Sequence, residues 1–303
     1  MTLLKKLFEI SKIEIGKIDT LFKKTKITTE PKSSKNKKGK KTTKDSHNLF
    51  SIKNPSKKKT TPYKIISTGI KEFDSLITDH GVEKGSTLLI SGGAGTGKTT
   101  FSIQSMYHSA MTLGERGIYL SFEEEPEKIK LHMKKNYGWD LDALEKKGLF
   151  AIIKLDSMDI ARSVEQILMD REDELQIDLN KIELPFTPDK IAIDSLSALS
   201  IAFTDEENYR KYIRELFESL EQLDCVTYVI AETEQDPKIY SRTGVEEFLA
   251  DGVVVLYNLK RHGKRENAIE ILKLRSSSHK KGMTPYKLTE KGITLQNQPI
   301  EKK

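Results

Sequence analysis

The stretch that decides the fold runs Leu88-Leu89-Ile90-Ser91-Gly92-Gly93-Ala94-Gly95-Thr96-Gly97-Lys98-Thr99-Thr100. An apolar run that reads as a strand, Thr87–Ser91, gives way to a loop fitting G-x-x-x-x-G-K-[ST] over Gly92–Thr99. Helical periodicity then begins at Thr99 and continues to Leu113. Strand, glycine loop and helix in that order are the context in which this motif is a phosphate cradle. Glycines suit the loop because its backbone N–H groups must wrap around phosphates in conformations where a Cβ would clash. The spacing therefore predicts that Gly93, Ala94, Gly95, Thr96, Gly97, Lys98, Thr99 and Thr100 hold the phosphates of ATP. Lys98 reaches the terminal ones, the Thr99 hydroxyl faces Mg2+, and the positive end of the helix adds its field.

Working outward, short apolar runs alternate with amphipathic segments. Strands are predicted at Thr87–Ser91, Gly117–Phe122, Phe150–Leu155, Lys190–Ser195, Thr227–Glu232, Gly252–Leu259 and Ile269–Leu274. Helices are predicted at Thr99–Leu113, Glu125–Tyr137, Asp159–Leu175 and Glu206–Leu223, the last opened by the capping-box pattern Thr204-x-x-Glu207. This order predicts an α/β fold: a mostly parallel sheet flanked by helices, finished by antiparallel strands near the C-terminus, where connections shorten. No internal repeat is evident. Ligands of such sheets bind at the carboxyl ends of the strands.

Two sets of acids stand at such ends. Ile191-Ala192-Ile193-Asp194 closes an apolar strand with a carboxylate. Beside a P-loop, Asp194 is expected to serve Mg2+, although a strand-end Asp alone is often a simple cap. Glu123 and Glu124 follow Ile118–Phe122. A carboxylate near the γ-phosphate orients and deprotonates water. The alternative, charge complementing the dipole of the next helix, suits Glu125 and Glu127 better.

The chain of 303 residues is 36% hydrophobic and 32% charged, with net charge +6. That charge is unevenly spread. Of 51 basic and 45 acidic residues, 14 Lys and two acids, Glu30 and Asp45, fall between Lys23 and Lys59, leaving 37 and 43 elsewhere. The folded part is therefore acidic, and non-specific contact with nucleic acid or an anionic membrane is an expectation for the Lys-rich segment alone. Residues 23–62 read as a linker, poor in side chains to bury except Ile27, Leu49, Phe50 and Ile52. Residues 1–22 read as an amphipathic helix through Leu4, Leu7, Phe8, Ile15, Ile18 and Phe22, and 297–303 as a tail. Cys225 has no intrachain partner and reads as a packed small hydrophobe. No apolar run approaches a membrane span and the start lacks a signal-peptide core, so a cytoplasmic location is expected.

Beyond the P-loop, the segments Ser67-Thr68-Gly69-Ile70-x-x-Phe73-Asp74, Ser121-Phe122-Glu123-Glu124, Gly138-Trp139-Asp140 and Ile193-Asp194-Ser195-Leu196-Ser197-Ala198-Leu199 resemble the KaiC branch of RecA-like ATPases. So do Ser241–Phe248, Ala250–Val253 and Ile271–His279. The resemblance spans Tyr63–Leu295 and marks 63–296 as a KaiC-like domain. It implies a RecA-like P-loop NTPase fold, ATP hydrolysis to ADP and phosphate with Mg2+, and a homo-oligomeric ring, a hexamer by resemblance, with nucleotide between subunits. It places Glu123 and Glu124 on the family's catalytic pair. Lys273 and Arg275 fall on groups that reach a neighbour's nucleotide, accompanied by Leu274, Ser277 and His279.

The resemblance also has limits. The family's clock proteins carry two such domains in tandem and one copy is found here, so no circadian role is implied. The segment Tyr240–Phe248 lacks the Ser/Thr-rich stretch of the self-phosphorylating domain. The leading expectation is a ring-forming regulatory ATPase acting on an unidentified protein partner. A DNA-binding recombinase relative and a nucleotide-sensing scaffold for a membrane machine are the alternatives.

Overall fold

The computed structural model describes residues 50–52, 64–170, 182–235, 239–261 and 263–296, all within the unit Lys44–Lys303. The expectations for residues 1–22 and 297–303, and most of those for 23–62, lie outside the described residues. One exception is Phe50–Ile52 (β1), in the segment expected to be a linker, which pairs in parallel with Ile182–Leu184 (β7). Its apolar residues are among the few that segment has to offer.

The remaining elements follow the predicted alternation. A short hairpin-like pair, Ile65–Ile66 (β2) and Val82–Glu83 (β3), flanks the one-turn helix Lys71–Asp74 (α1). Then come Thr87–Gly92 (β4), Lys98–Leu113 (α2), Gly117–Ser121 (β5), Pro126–Tyr137 (α3), Leu141–Lys146 (α4), Phe150–Lys154 (β6) and Ser157–Asp170 (α5). After β7 follow Lys190–Asp194 (β8), Leu196–Ala202 (α6), Glu206–Gln222 (α7), Val226–Glu232 (β9), Val245–Leu249 (α8), Gly252–Arg261 (β10), Lys264–Leu274 (β11), Thr284–Thr289 (β12) and Gly292–Leu295 (β13). Among the described residues no helix is long and apolar enough to cross a membrane.

Nine strands form one sheet in the order β13-β12-β11-β10-β4-β9-β8-β5-β6. Pairing is parallel from β10 through β6 and antiparallel from β10 out to β13. This is the mostly parallel sheet with antiparallel C-terminal strands that the sequence predicts. Its parallel centre is buried on both faces, as parallel sheets require. Period-two alternation divides the core. Leu88, Ile90, Tyr119 and Ile230 face α2 and α3 with Phe101, Met106 and Ile129, while Leu89, Leu120, Ile193 and Val229 face α6 and α7 with Leu199, Ile213 and Leu220. Cys225 is fully buried in that second cluster.

Two local readings are corrected. The capping box places the N-cap of α7 at Thr204. The cap is Asp205, whose carboxylate accepts Asn208 N–H at 2.8 Å, while the Thr204 hydroxyl donates to Glu165 Oε1 at 2.6 Å. The second concerns strand boundaries: the segment predicted as Ile269–Leu274 begins at Lys264, and β12 and β13 were not expected. These two short strands lie over the start of α2. Tyr286 on β12 donates its hydroxyl to Thr96 O, and Gln104 on α2 accepts Ile293 N–H at 2.7 Å.

Candidate nucleotide site

The carboxyl ends of β4, β5, β8 and β9 converge because their registers are level: Gly92 stands beside Glu232 and Ser121 beside Asp194. They open onto a cavity of about 350 Å3 lined by Gly95, Gly97, Lys98, Thr99, Thr100, Ser121, Glu123, Glu124, Ile129, Tyr137, Asp194, Glu232 and Leu288. Every strand-end acid singled out in the sequence lies on this wall.

The P-loop connects β4 to α2 through Gly97, whose φ of 92° lies in the left-handed region open to glycine. A Cβ there would also sit 3.0 Å from Leu288. Thr96 folds its hydroxyl back onto Gly93 O at 2.8 Å, and Lys98 Nζ donates to the same carbonyl at 3.0 Å. Lys98 is nearly buried, and its second partner is Glu232 Oε1 at 3.6 Å. Gln235 lies over the loop, donating to Ala94 O at 3.0 Å, so a Cβ on Gly93 would meet its amide at 2.6 Å. Gly93, Ala94 and Thr96 thus shape the loop from behind, while Gly95, Gly97, Lys98, Thr99 and Thr100 face the cavity.

Thr99 donates its hydroxyl to Asp194 Oδ2 at 2.7 Å, and Tyr119 on β5 donates to the same oxygen. Burial pushes the Asp194 carboxyl above its ordinary range despite these two donors, which pull it down. Burial and the neighbouring Asp194 hold the Tyr119 phenol neutral. A carboxylate and a hydroxyl side by side are hard oxygen donors of the kind Mg2+ takes, the rest of its shell coming from water and phosphates. No group of three or more His, Cys, Asp or Glu among the described residues holds a metal alone. Thr99 and Asp194 supply two oxygens of the kind such a shell takes.

Glu123 and Glu124 leave β5 in the bend before α3, and Glu125, the N-cap of that helix, is separate from them. Ser195, at the start of α6, donates its hydroxyl to Glu123 Oε1 at 2.6 Å, and Glu123 lines the cavity. Ser121 exchanges hydrogen bonds with the backbone of Glu124, whose side chain lies 3.9 Å from His132. Tyr137 shares a hydrogen bond with Thr100 at 3.2 Å and stacks on Trp139 at 4.6 Å.

Lys273 and Arg275 lie elsewhere. Leu274 pairs with Gly252 and Gly252 with Leu88, so the end of β11 is at the amino ends of the parallel strands, opposite the P-loop. Lys273 Nζ donates to the carbonyls of Glu247, Phe248 and Ala250, capping α8, and Arg275 reaches Phe248 O and Asp251. Burial, then Arg275, lowers the Lys273 ammonium below its usual range. Leu274 packs on the core, Ser277 bonds within its own turn, and the His279 backbone bridges to Ile77. None of these five lines the cavity of its own chain. Sequence reasoning missed Tyr119, Ser195 and Glu232. Ser195 directly follows a recognised acid, Glu232 stands level with Gly92 at the start of the P-loop, and Tyr119 stands level with Ala192, two residues before Asp194 on the same face, so the last two enter only through cross-strand register.

Residues 66–300 match the family described as "ATPase: KaiC". The chain is 33% identical over 253 residues to the circadian clock oscillator protein KaiC of Acaryochloris marina, covering 82% of this chain and 47% of that protein. Against the KaiC of Synechococcus elongatus it is 32% identical, covering 75% and 43%. The chain thus spans about half the length of the curated relatives it matches. Among solved structures, the KaiC-like protein of the hyperthermophilic archaeon Pyrococcus horikoshii OT3 aligns with a TM-score of 0.64 at 28% identity, covering 78% of this chain and 100% of that one.

Proposed function

The chain belongs to the KaiC family of ATPases, and from that premise we propose that it binds ATP with Mg2+ at Gly93–Thr100 and hydrolyses it to ADP and phosphate. The observation that carries this reading is the convergence of Lys98, Thr99, Asp194, Glu123 and Glu124 on one cavity. Bound Mg2+ would be held by Thr99 and Asp194 and would neutralise charge on the phosphates. Loop amides and Lys98 bind and orient the triphosphate. Water adds to the γ-phosphorus as the bond to the β-phosphate oxygen breaks, and its proton passes to the Glu123 carboxylate. Ser195 keeps that carboxylate aimed, and Glu124 stands beside it as the second acid.

The finer part of the proposal is a ring, of six subunits by family resemblance, acting as a regulatory switch on a protein partner. Its support is the distance of Lys273 and Arg275 from their own chain's cavity. Cations at the opposite end of the sheet serve a nucleotide only if a neighbouring copy presents one. Replacing Glu123 and Glu124 by Gln keeps size and removes the base. We expect ATP to stay bound, measured by fluorescent-nucleotide titration, while phosphate release falls at least about a hundredfold. Wild-type phosphate release from the double variant would mean that other groups activate the water.

A further inference from the structure

Resting on the nucleotide-site reading above, we propose that Glu232 is a positioning residue of this site that competes with the phosphates of ATP for Lys98, and so sets nucleotide affinity below what the P-loop alone would give.

The argument begins with Lys98. A nearly buried ammonium needs an opposite charge or a full set of acceptors, because desolvation penalises it otherwise. Its ammonium donates to Gly93 O at 3.0 Å and makes an ion-pair contact with Glu232 Oε1 at 3.6 Å. Glu232 is the last residue of β9, between the P-loop strand and the strand of Asp194, and its backbone is pinned on both sides. Its N–H donates to Ser197 Oγ at 2.7 Å, and the next residue, Thr233, donates its N–H to Gly92 O at 3.1 Å. The carboxylate is therefore delivered to the lysine by the sheet.

Glu232 also faces the cavity together with Glu123, Glu124 and Asp194, so four carboxylates and one ammonium share one wall. Arriving phosphate meets Glu232 twice. It must take Lys98 from the carboxylate, and it then lies beside a like charge. Both effects oppose binding, and neither requires a change of fold. The side chain of Glu232 is half exposed, so the carboxylate has open solvent to turn into once displaced.

The test is equilibrium binding of fluorescent ATP to the full chain at low salt. Glu232→Gln keeps the shape and removes the charge, and Glu232→Ser removes the reach as well. Both are expected to bind ATP about five- to tenfold more tightly than wild type, with the gain shrinking as salt is raised. Melting curves without nucleotide report folding. A residue that merely supports the strand would change the melting temperature with ATP binding unchanged or weaker, and that result in a folded variant overturns the proposal. Wild-type protein that binds no ATP would remove the nucleotide site itself, and this proposal with it.

Discussion

At the scale of single residues, the site concentrates charge that burial disfavours. Asp194 is the clearest case. Burial holds its carboxyl above the ordinary value of 3.8, with Thr99 and Tyr119 only partly offsetting the cost. A group that binds its proton more tightly folded than unfolded contributes stability at low pH. That contribution is lost as pH rises from the unfolded pKa through the raised folded one. Nucleotide-free wild type should therefore lose melting temperature relative to Asp194→Asn as pH rises through that window. A constant difference between the two melting curves from pH 3 to 8 would show that the carboxylate is as well solvated in the fold as out of it. Lys98 belongs to the same account, since it is nearly buried and its partners are the Gly93 carbonyl and Glu232.

At the scale of elements, the clearest lesson is at the start of α7. Thr204-x-x-Glu207 satisfies the capping-box pattern, yet the adjacent Asp205 takes the cap and Thr204 turns to Glu165 on α5. Local pattern offered two caps one residue apart, and a tertiary partner decided between them. Asp205→Ala should thus cost about 1 kcal/mol of stability. Thr204→Ala, which loses an exposed contact between helices, should cost less. Urea unfolding of both variants measures the order, and the reverse order would return the cap to Thr204. The long central strands were legible because β4, β8 and β9 are continuous apolar runs buried on both faces. The short strands β12 and β13 were not. Their residues Thr-Pro-Tyr-Lys-Leu-Thr and Gly-Ile-Thr-Leu carry little apolar signal, and they are strands because β11 provides an edge and α2 a surface.

At the scale of the whole molecule, the proposed shared site makes activity a property of assembly. Arg275 at the amino ends of the strands is opposite the carboxylates at their carboxyl ends, so under that proposal one subunit would hold the two halves of different sites. Arg275→Ala alone and Glu123→Gln/Glu124→Gln alone should each be inactive, and mixing them should restore part of the phosphate release. Interfaces that pair an intact carboxylate site with an intact arginine would account for it, since a cation supplied by a neighbour contributes about three or more powers of ten in rate. Turnover per subunit should also fall on dilution. Full activity at every dilution, with no rescue on mixing, would confine each site to one chain.

What the sequence by itself determined is whatever rests on contiguous residues. The P-loop, the strand that feeds it, the acids at two later strand ends, the parallel sheet and the lysine-rich segment before residue 60 all belong here. Each is set by backbone freedom, by hydrophobic period or by charge density along a few neighbouring positions. What only the tertiary structure decided is which distant residues meet. Register between β4 and β9 brings Glu232 to Lys98, register between β5 and β8 brings Tyr119 to Asp194, and the turn into α6 brings Ser195 to Glu123. No local pattern encodes these pairings, because cross-strand neighbours are selected by the packing of a whole sheet between two layers of helices.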